Sequence, residues 1–283
     1  MSSVYFRLMD MCKRKFTVAA CFLLLWIACT AFTVRTVPTD NLPCEAKVTV
    51  AVPVGYDDNI SKRYPVVYLL NGHGGDHATW SKIADIDSLA TAYGVIIVCP
   101  AGLDSWYWDS PVKPELRMES YITGDLVPWV DSNYRTRPLP VQRAITGLSM
   151  GGHGALWLAI RHPELFGNVG STSGGVDLIP WPEGWNLPDV LGPYRHNEKR
   201  WRDHTVMSLL DSPSLRRLNI IFDCGTEDFF LKVNNHLHEE LKARGIRHVY
   251  RTSAGAHKNS YWHRSIIPHF DFFGENFNSA ESH

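Results

Sequence analysis

With 283 residues, 20% charged and 45% hydrophobic, the chain has the composition of an ordinary globular protein rather than a disordered or fibrous one. A formal net charge of −1, with no long run of lysine and arginine, provides no field to gather nucleic acid or an anionic membrane surface. Length alone allows one large α/β domain or two small ones.

The N-terminus stands apart. Lys13, Arg14 and Lys15 precede an apolar stretch over residues 16–32, the order expected of a secretory signal, with small residues for cleavage near residues 29–31. An uncleaved anchor is the alternative, because the stretch is only slightly short for a membrane span. Residues 1–31 are assigned to one or the other. The rest of the chain is then secreted or periplasmic, and membrane contact arises only through an uncleaved segment. Of six cysteines, Cys12, Cys21 and Cys29 fall in or before that segment. Cys44, Cys99 and Cys224 cannot all pair within one chain, and no spacing resembles a zinc site.

After a linker around residues 36–43, residues 47–53 alternate like a strand exposed on one face. Residues 65–70 and 95–99 are continuous apolar runs, as in strands covered on both faces. Between them residues 80–93 have helical spacing, repeated over 120–134. A short strand at 143–146 leads into a helix over 152–161. Strands at 218–222 and 248–250 flank a helix over 231–244 that Gly245 stops, and a last helix covers 261–273. This alternation argues for a largely parallel sheet sandwiched by helices, one domain over residues 45–275. Residues 176–214, rich in Trp, Pro, Gly and charge, break the rhythm. They read as an insertion over the sheet's C-terminal edge, either a surface excursion or a substrate-shaping lid.

Gly147-Leu148-Ser149-Met150-Gly151 matches G-x-S-x-G. The pentapeptide is weak alone, but here it joins a strand to a helix, the context a nucleophile elbow requires. The turn is so tight that Gly147 and Gly151 must lack side chains, and it lifts the serine hydroxyl clear of the backbone. A serine hydroxyl needs a base, and the base needs an orienting acid. In this arrangement the acid follows a strand and precedes the histidine. Asp223, Glu227 and Asp228 all lie just past the 218–222 strand. Asp228, beyond Gly225, is best placed to turn towards the site, whereas Asp223 is nearer the strand and suited to bracing the loop. His257 sits in a small-residue loop after the 248–250 strand, while His263 and His269 fall in a helix and His248 in a strand.

An oxyanion hole takes the N–H after the serine, here Met150, and a second donor from the loop after an early strand. Asn71-Gly72-His73-Gly74-Gly75 is such a loop. His73 N–H is the choice, with Gly74 the near alternative. The Walker pattern is absent, which excludes a phosphate cradle. Trp106, Tyr107 and Trp108 follow the 95–99 strand. They are expected either to form an exposed platform for a flat acyl or sugar group or to pack beneath the insertion.

The motifs Tyr68-Leu69-Leu70-Asn71-Gly72, Gly147-Leu148-Ser149-Met150-Gly151-Gly152-His153-Gly154-Ala155, Cys224-Gly225-Thr226-Glu227-Asp228 and Gly255-Ala256-His257 resemble an esterase family of α/β-hydrolases. That family includes S-formylglutathione hydrolases, tributyrin esterases, feruloyl and acetylxylan esterases and the antigen 85 mycolyltransferases. The likeness runs from about residue 47 to 273. It implies an α/β-hydrolase fold and a triad on Ser149, Asp228 and His257, with the His73 and Met150 N–H groups as oxyanion donors. No cofactor is implied. Two departures stand out: relatives usually carry His where this chain has Asn71, and Lys258 follows the histidine where an acidic or polar residue is common.

The expectation is a serine carboxylic-ester hydrolase acting on short-chain or carbohydrate-linked acetyl or feruloyl esters, with a small-molecule or polysaccharide ester as its partner. An acyltransferase and an S-formylglutathione-type thioesterase are the alternatives within the fold. An inactive carbohydrate-binding protein is the alternative of another class.

Overall fold

Eight strands form one sheet in the computed structural model, which describes residues 32–280. The signal-or-anchor expectation for residues 1–31 lies outside the described residues. In chain order the strands are β1 (Thr33–Val37), β2 (Ala46–Ala51), β3 (Val66–Leu70), β4 (Ile96–Pro100), β5 (Arg143–Gly147), β6 (Asn168–Thr172), β7 (Asn219–Gly225) and β8 (Val249–Ser253). They lie side by side as β1-β2-β4-β3-β5-β6-β7-β8. β1 and β2 pair antiparallel, as do β2 and β4, and every pairing from β4 to β8 is parallel.

Side-chain alternation along the central strands divides the apolar residues into two cores. Val66, Tyr68 and Leu70 face one side of the sheet, Val67 and Leu69 the other. The second side is covered by α1 (Thr79–Ile83), α2 (Ile86–Tyr93) and α8 (Asn259–Ser279). The first carries α3 (Val127–Asn133), α4 (Met150–Arg161) and α7 (Leu231–Ala243). The 176–214 insertion, with α5 (Leu187–Leu191) and α6 (Tyr194–Asp203), packs on that same side. This is the largely parallel, helix-flanked sheet expected from the alternating elements, and it agrees with the α/β-hydrolase fold that the family resemblance implies. Among the described residues no helix is long and apolar enough to cross a membrane.

Several expectations need correction. The 80–93 helix is two helices, because Ala84 is extended and the Asp85 carboxylate accepts from Ser88 N–H at 3.0 Å, capping a fresh start. The first part of the 36–43 linker is the end of β1, which joins the sheet edge. β2 has no fully exposed face: Thr49 is buried and hydrogen-bonds His77 Nδ1 at 2.9 Å. β6 (Asn-Val-Gly-Ser-Thr) was not expected at all, since it carries almost no apolar signal. Its small residues are buried because α4 and α8 press on its two faces.

Candidate active site

The sheet's C-terminal edge gathers the loops that follow β3, β5, β7 and β8, the position at which open α/β sheets bind ligands. At the end of β5 the chain turns sharply into α4, and Ser149 occupies the turn with φ 56° and ψ −116°. A side-chain-bearing residue adopts that conformation only when its surroundings impose it. The surroundings here are very close. A Cβ on Gly147 would lie 2.6 Å from the Leu70 carbonyl oxygen, and one on Gly151 would collide with the same group. Ser149 N–H donates to Thr172 O at 3.0 Å, and its carbonyl accepts from Gly175 N–H at 3.2 Å. The hydroxyl is thereby held at the edge of the sheet.

His257 reaches that hydroxyl. Its Nε2 is 2.9 Å from Ser149 Oγ, and its Nδ1 is 2.9 Å from Asp228 Oδ2. A carboxylate only accepts, so Nδ1 carries the proton and the Nε2 lone pair faces the serine O–H. The Asp228 side chain is fully buried, and its other oxygen accepts from Phe230 N–H at 2.8 Å. The two loops are stitched together, Thr226 N–H to Ser253 O and Glu227 N–H to Gly255 O, both at 2.9 Å. The imidazole is boxed by Phe229 at 4.4 Å, Phe230 at 5.5 Å and Trp262 at 4.9 Å between ring centroids.

The two rival carboxylates lie elsewhere. Glu227 points to solvent. Asp223 is buried and accepts from Thr172 Oγ1 (2.8 Å), Tyr261 O–H (2.8 Å) and His269 (2.7 Å).

The loop after β3 passes directly over the serine, since a Cβ on Gly72 would stand 3.3 Å from Ser149 Cβ. Asn71, the departure from the usual histidine, is buried and holds this loop. Its amide donates to Gly72 O at 2.8 Å and its Oδ1 accepts from Gly102 N–H at 2.9 Å. Gly74 N–H, the alternative oxyanion donor, already donates to Asp104 Oδ1 at 2.6 Å. The N–H groups of His73 and Met150 find no acceptor among the described residues. No group of three or more His, Cys, Asp or Glu among those residues is arranged to hold a metal ion.

Of the two expectations for Trp106, Tyr107 and Trp108, the exposed platform fails and packing beneath the insertion holds: all three are buried, at 1%, 0% and 1% exposure, with Trp106 against Trp185 at 6.1 Å and Trp108 against His204 at 5.5 Å. Left-handed backbone at Leu103, Asp104, Trp106 and Tyr107 turns the rings inward. Tyr107 lies flat against Gly154 of α4 and donates to Asn71 O at 3.1 Å. Trp106 and Trp108 pack on His153 at 5.6 and 4.9 Å. This loop therefore supports the 71–75 loop from behind and presents no face to a ligand.

The aromatic surface beside His257 comes from residues that sequence reasoning did not single out. Phe229 is 47% exposed and stacks on Trp185 at 5.7 Å, and Trp181 packs edge-on to Phe230 at 5.0 Å. The only signal was the tryptophan content of the 176–214 insertion, because these contacts join two loops far apart in the chain.

The sheet, the elbow at its edge and the flanking helices define an α/β-hydrolase. Residues 39–273 match the "Putative esterase" family, and the chain belongs to that family. It is a carboxylic-ester hydrolase. Among its relatives is an acetyl esterase of Caldicellulosiruptor saccharolyticus, 25% identical over 76% of this chain and 85% of the relative. An S-formylglutathione hydrolase of Rattus norvegicus is 24% identical over 80% of this chain and 87% of its own. A solved ferulic acid esterase superposes with a TM-score of 0.75 at 25% identity, covering 87% of this chain and 99% of that one.

Proposed function

We propose that Ser149, His257 and Asp228 are the triad of this hydrolase and that the His73 and Met150 N–H groups are its oxyanion donors. The observation that carries the reading is the unbroken hydroxyl–imidazole–carboxylate chain, 2.9 Å at each link. His257 Nε2 takes the Ser149 proton as Oγ attacks the ester carbonyl. The carbonyl oxygen becomes an alkoxide and docks on the two N–H groups, aided by the positive end of α4. The C–O bond to the alcohol breaks as His257 returns the proton to the leaving oxygen. Water, deprotonated by the same nitrogen, then attacks the acyl-serine and frees the acid. Asp228 stays ionised throughout and stabilises the transient imidazolium. Ser149→Ala is expected to lower kcat on p-nitrophenyl acetate by about 10⁴-fold or more. Turnover within tenfold of wild type would remove Ser149 from the mechanism.

The substrate class follows from the wall beside His257. The Phe229–Trp185 stack offers one flat, apolar, solvent-facing surface next to the base, suited to an aromatic acyl group or to a sugar face on the alcohol side. Together with the acetyl and ferulic acid esterase relatives, this favours acetyl or feruloyl esters carried on carbohydrate. The basic and apolar order of residues 13–32 supports export, so that the enzyme meets its substrate outside the cytoplasm. N-terminal sequencing of the accumulated protein tests that: a start near residue 32 is expected, and an intact Met1 in a soluble cytoplasmic fraction would overturn it.

A further inference from the structure

Charge is distributed unevenly along the chain. Residues 241–270 contain Lys242, Arg244, Arg247, Arg251, Lys258 and Arg264 but no aspartate or glutamate, in a protein of net charge −1. Lys242 and Arg244 are neutralised by Glu239, Glu240 and Asp211. The other four have no carboxylate within ion-pair range among the described residues.

Two of these four, Arg251 and Arg264, line one cavity of about 400 Å³ between β8 and α8, together with the hydroxyls of Ser253 and Ser265. Arg251 is in register with Asp223 on β7, so both side chains leave the sheet on the α8 side. Arg264 is fixed in place: Nη1 donates to Ser260 O at 2.8 Å and Nη2 to Ala254 O at 3.1 Å. The floor holds Asp223 and His269; the aspartate makes no ion pair with either arginine, and its oxygens accept from Thr172, Tyr261 and His269. A cation on an exposed edge strand also discourages strand-to-strand association. That role requires neither a cavity nor a second guanidinium within it.

We propose that this cavity is a second binding site, separate from the surroundings of Ser149, and that it takes a small oxyanion of the phosphate or carboxylate class. Guanidinium groups seat such anions through paired, charge-assisted hydrogen bonds. The site adjoins the loop that carries His257. Arg264 holds Ala254 O, and Ser253 O and Gly255 O hold the Asp228 loop. An anion that draws Arg264 from Ala254 therefore acts on the base and the acid together, and occupancy is expected to change the hydrolysis rate as well as stability.

The test is a titration of the full chain with inorganic phosphate, and in a second arm with acetate, at an ionic strength held constant with chloride. Melting temperature and p-nitrophenyl acetate hydrolysis are followed together. A saturable rise in Tm with at least one of the two anions is expected, with a concordant change in rate. Which anion saturates identifies the source. Arg251→Gln and Arg264→Gln should each weaken the response about tenfold, the loss of one charge-assisted pair. Arg247→Gln, also unpaired but outside the cavity, should not. Ser149→Ala should bind the anion like wild type, so that this site and the proposed nucleophile can fail independently. Lack of saturation with either anion, or an equal loss in Arg247→Gln, would overturn the proposal.

Discussion

The protein contains two hydroxyl–imidazole–carboxylate chains with nearly the same spacing. In one, Ser149, His257 and Asp228 meet at 2.9 Å per link. In the other, Thr146 Oγ1 lies 2.8 Å from His269 Nδ1, and His269 Nε2 lies 2.7 Å from Asp223. Thr146 precedes Ser149 by only three positions, yet its hydroxyl points beneath α8, and both Thr146 and His269 have 0% exposure. Distances alone therefore do not identify a reactive site. The serine differs in standing where β5 ends, in a left-handed backbone conformation at the C-terminal edge of the sheet. The threonine lies in mid-strand, where the same three groups knit β5, β7 and α8 together.

Asp228→Asn should produce the largest change. With the tautomer and orientation of His257 lost, kcat on p-nitrophenyl acetate is expected to fall about 10⁴-fold while the melting temperature stays near wild type. Asp223→Asn should do the reverse. Removing a buried charge that three donors satisfy costs about 3–5 kcal/mol of stability in denaturant titrations, and the folded fraction should keep kcat within about tenfold. If the two phenotypes were exchanged, the roles assigned to the two chains would have to be exchanged as well.

A third imidazole sharpens the same contrast. Burial pushes His153 down to about 3, against a backbone hydrogen bond to Gly175 O that works the other way. Below about pH 6.5 the unfolded chain takes up a proton that folded His153 refuses. Stability should therefore decline as pH falls from there towards 3, by about 1.4 kcal/mol per pH unit for this one group. Denaturant unfolding across that range should show a shallower acid limb in His153→Gln. An unchanged limb would mean that this imidazole is not sealed off. The smallest effect is expected at the aromatic surface beside His257. Phe229→Ala should lower the ratio of feruloyl to acetyl ester kcat/KM about fivefold, the loss of one aromatic contact. An unchanged ratio would show that the acyl group binds elsewhere.

Much of this was readable in the order of residues. Continuous apolar runs marked β3 and β4, and the glycines around Ser149 marked the elbow. Asp228 stood out from Asp223 because it lies beyond Gly225, where a side chain can turn back. What escaped has identifiable causes. β6 is buried through smallness rather than hydrophobicity, so no periodic signal marks it. The inward turn of Trp106 to Trp108 depends on left-handed backbone at residues without a glycine's freedom, which composition does not foretell. The Phe229–Trp185 surface exists only once two distant loops are folded against each other.

The pairing of the 226–227 segment with Ser253 and Gly255 has one more implication. The proposed acid and base thus ride on a single clasp, whereas the serine stands on a separate turn at the end of β5. The 176–214 insertion contributes Trp185 and Trp181 but no member of that clasp. The tryptophan rings that would meet an ester and the pair proposed to move the proton are therefore borne by different segments of the chain.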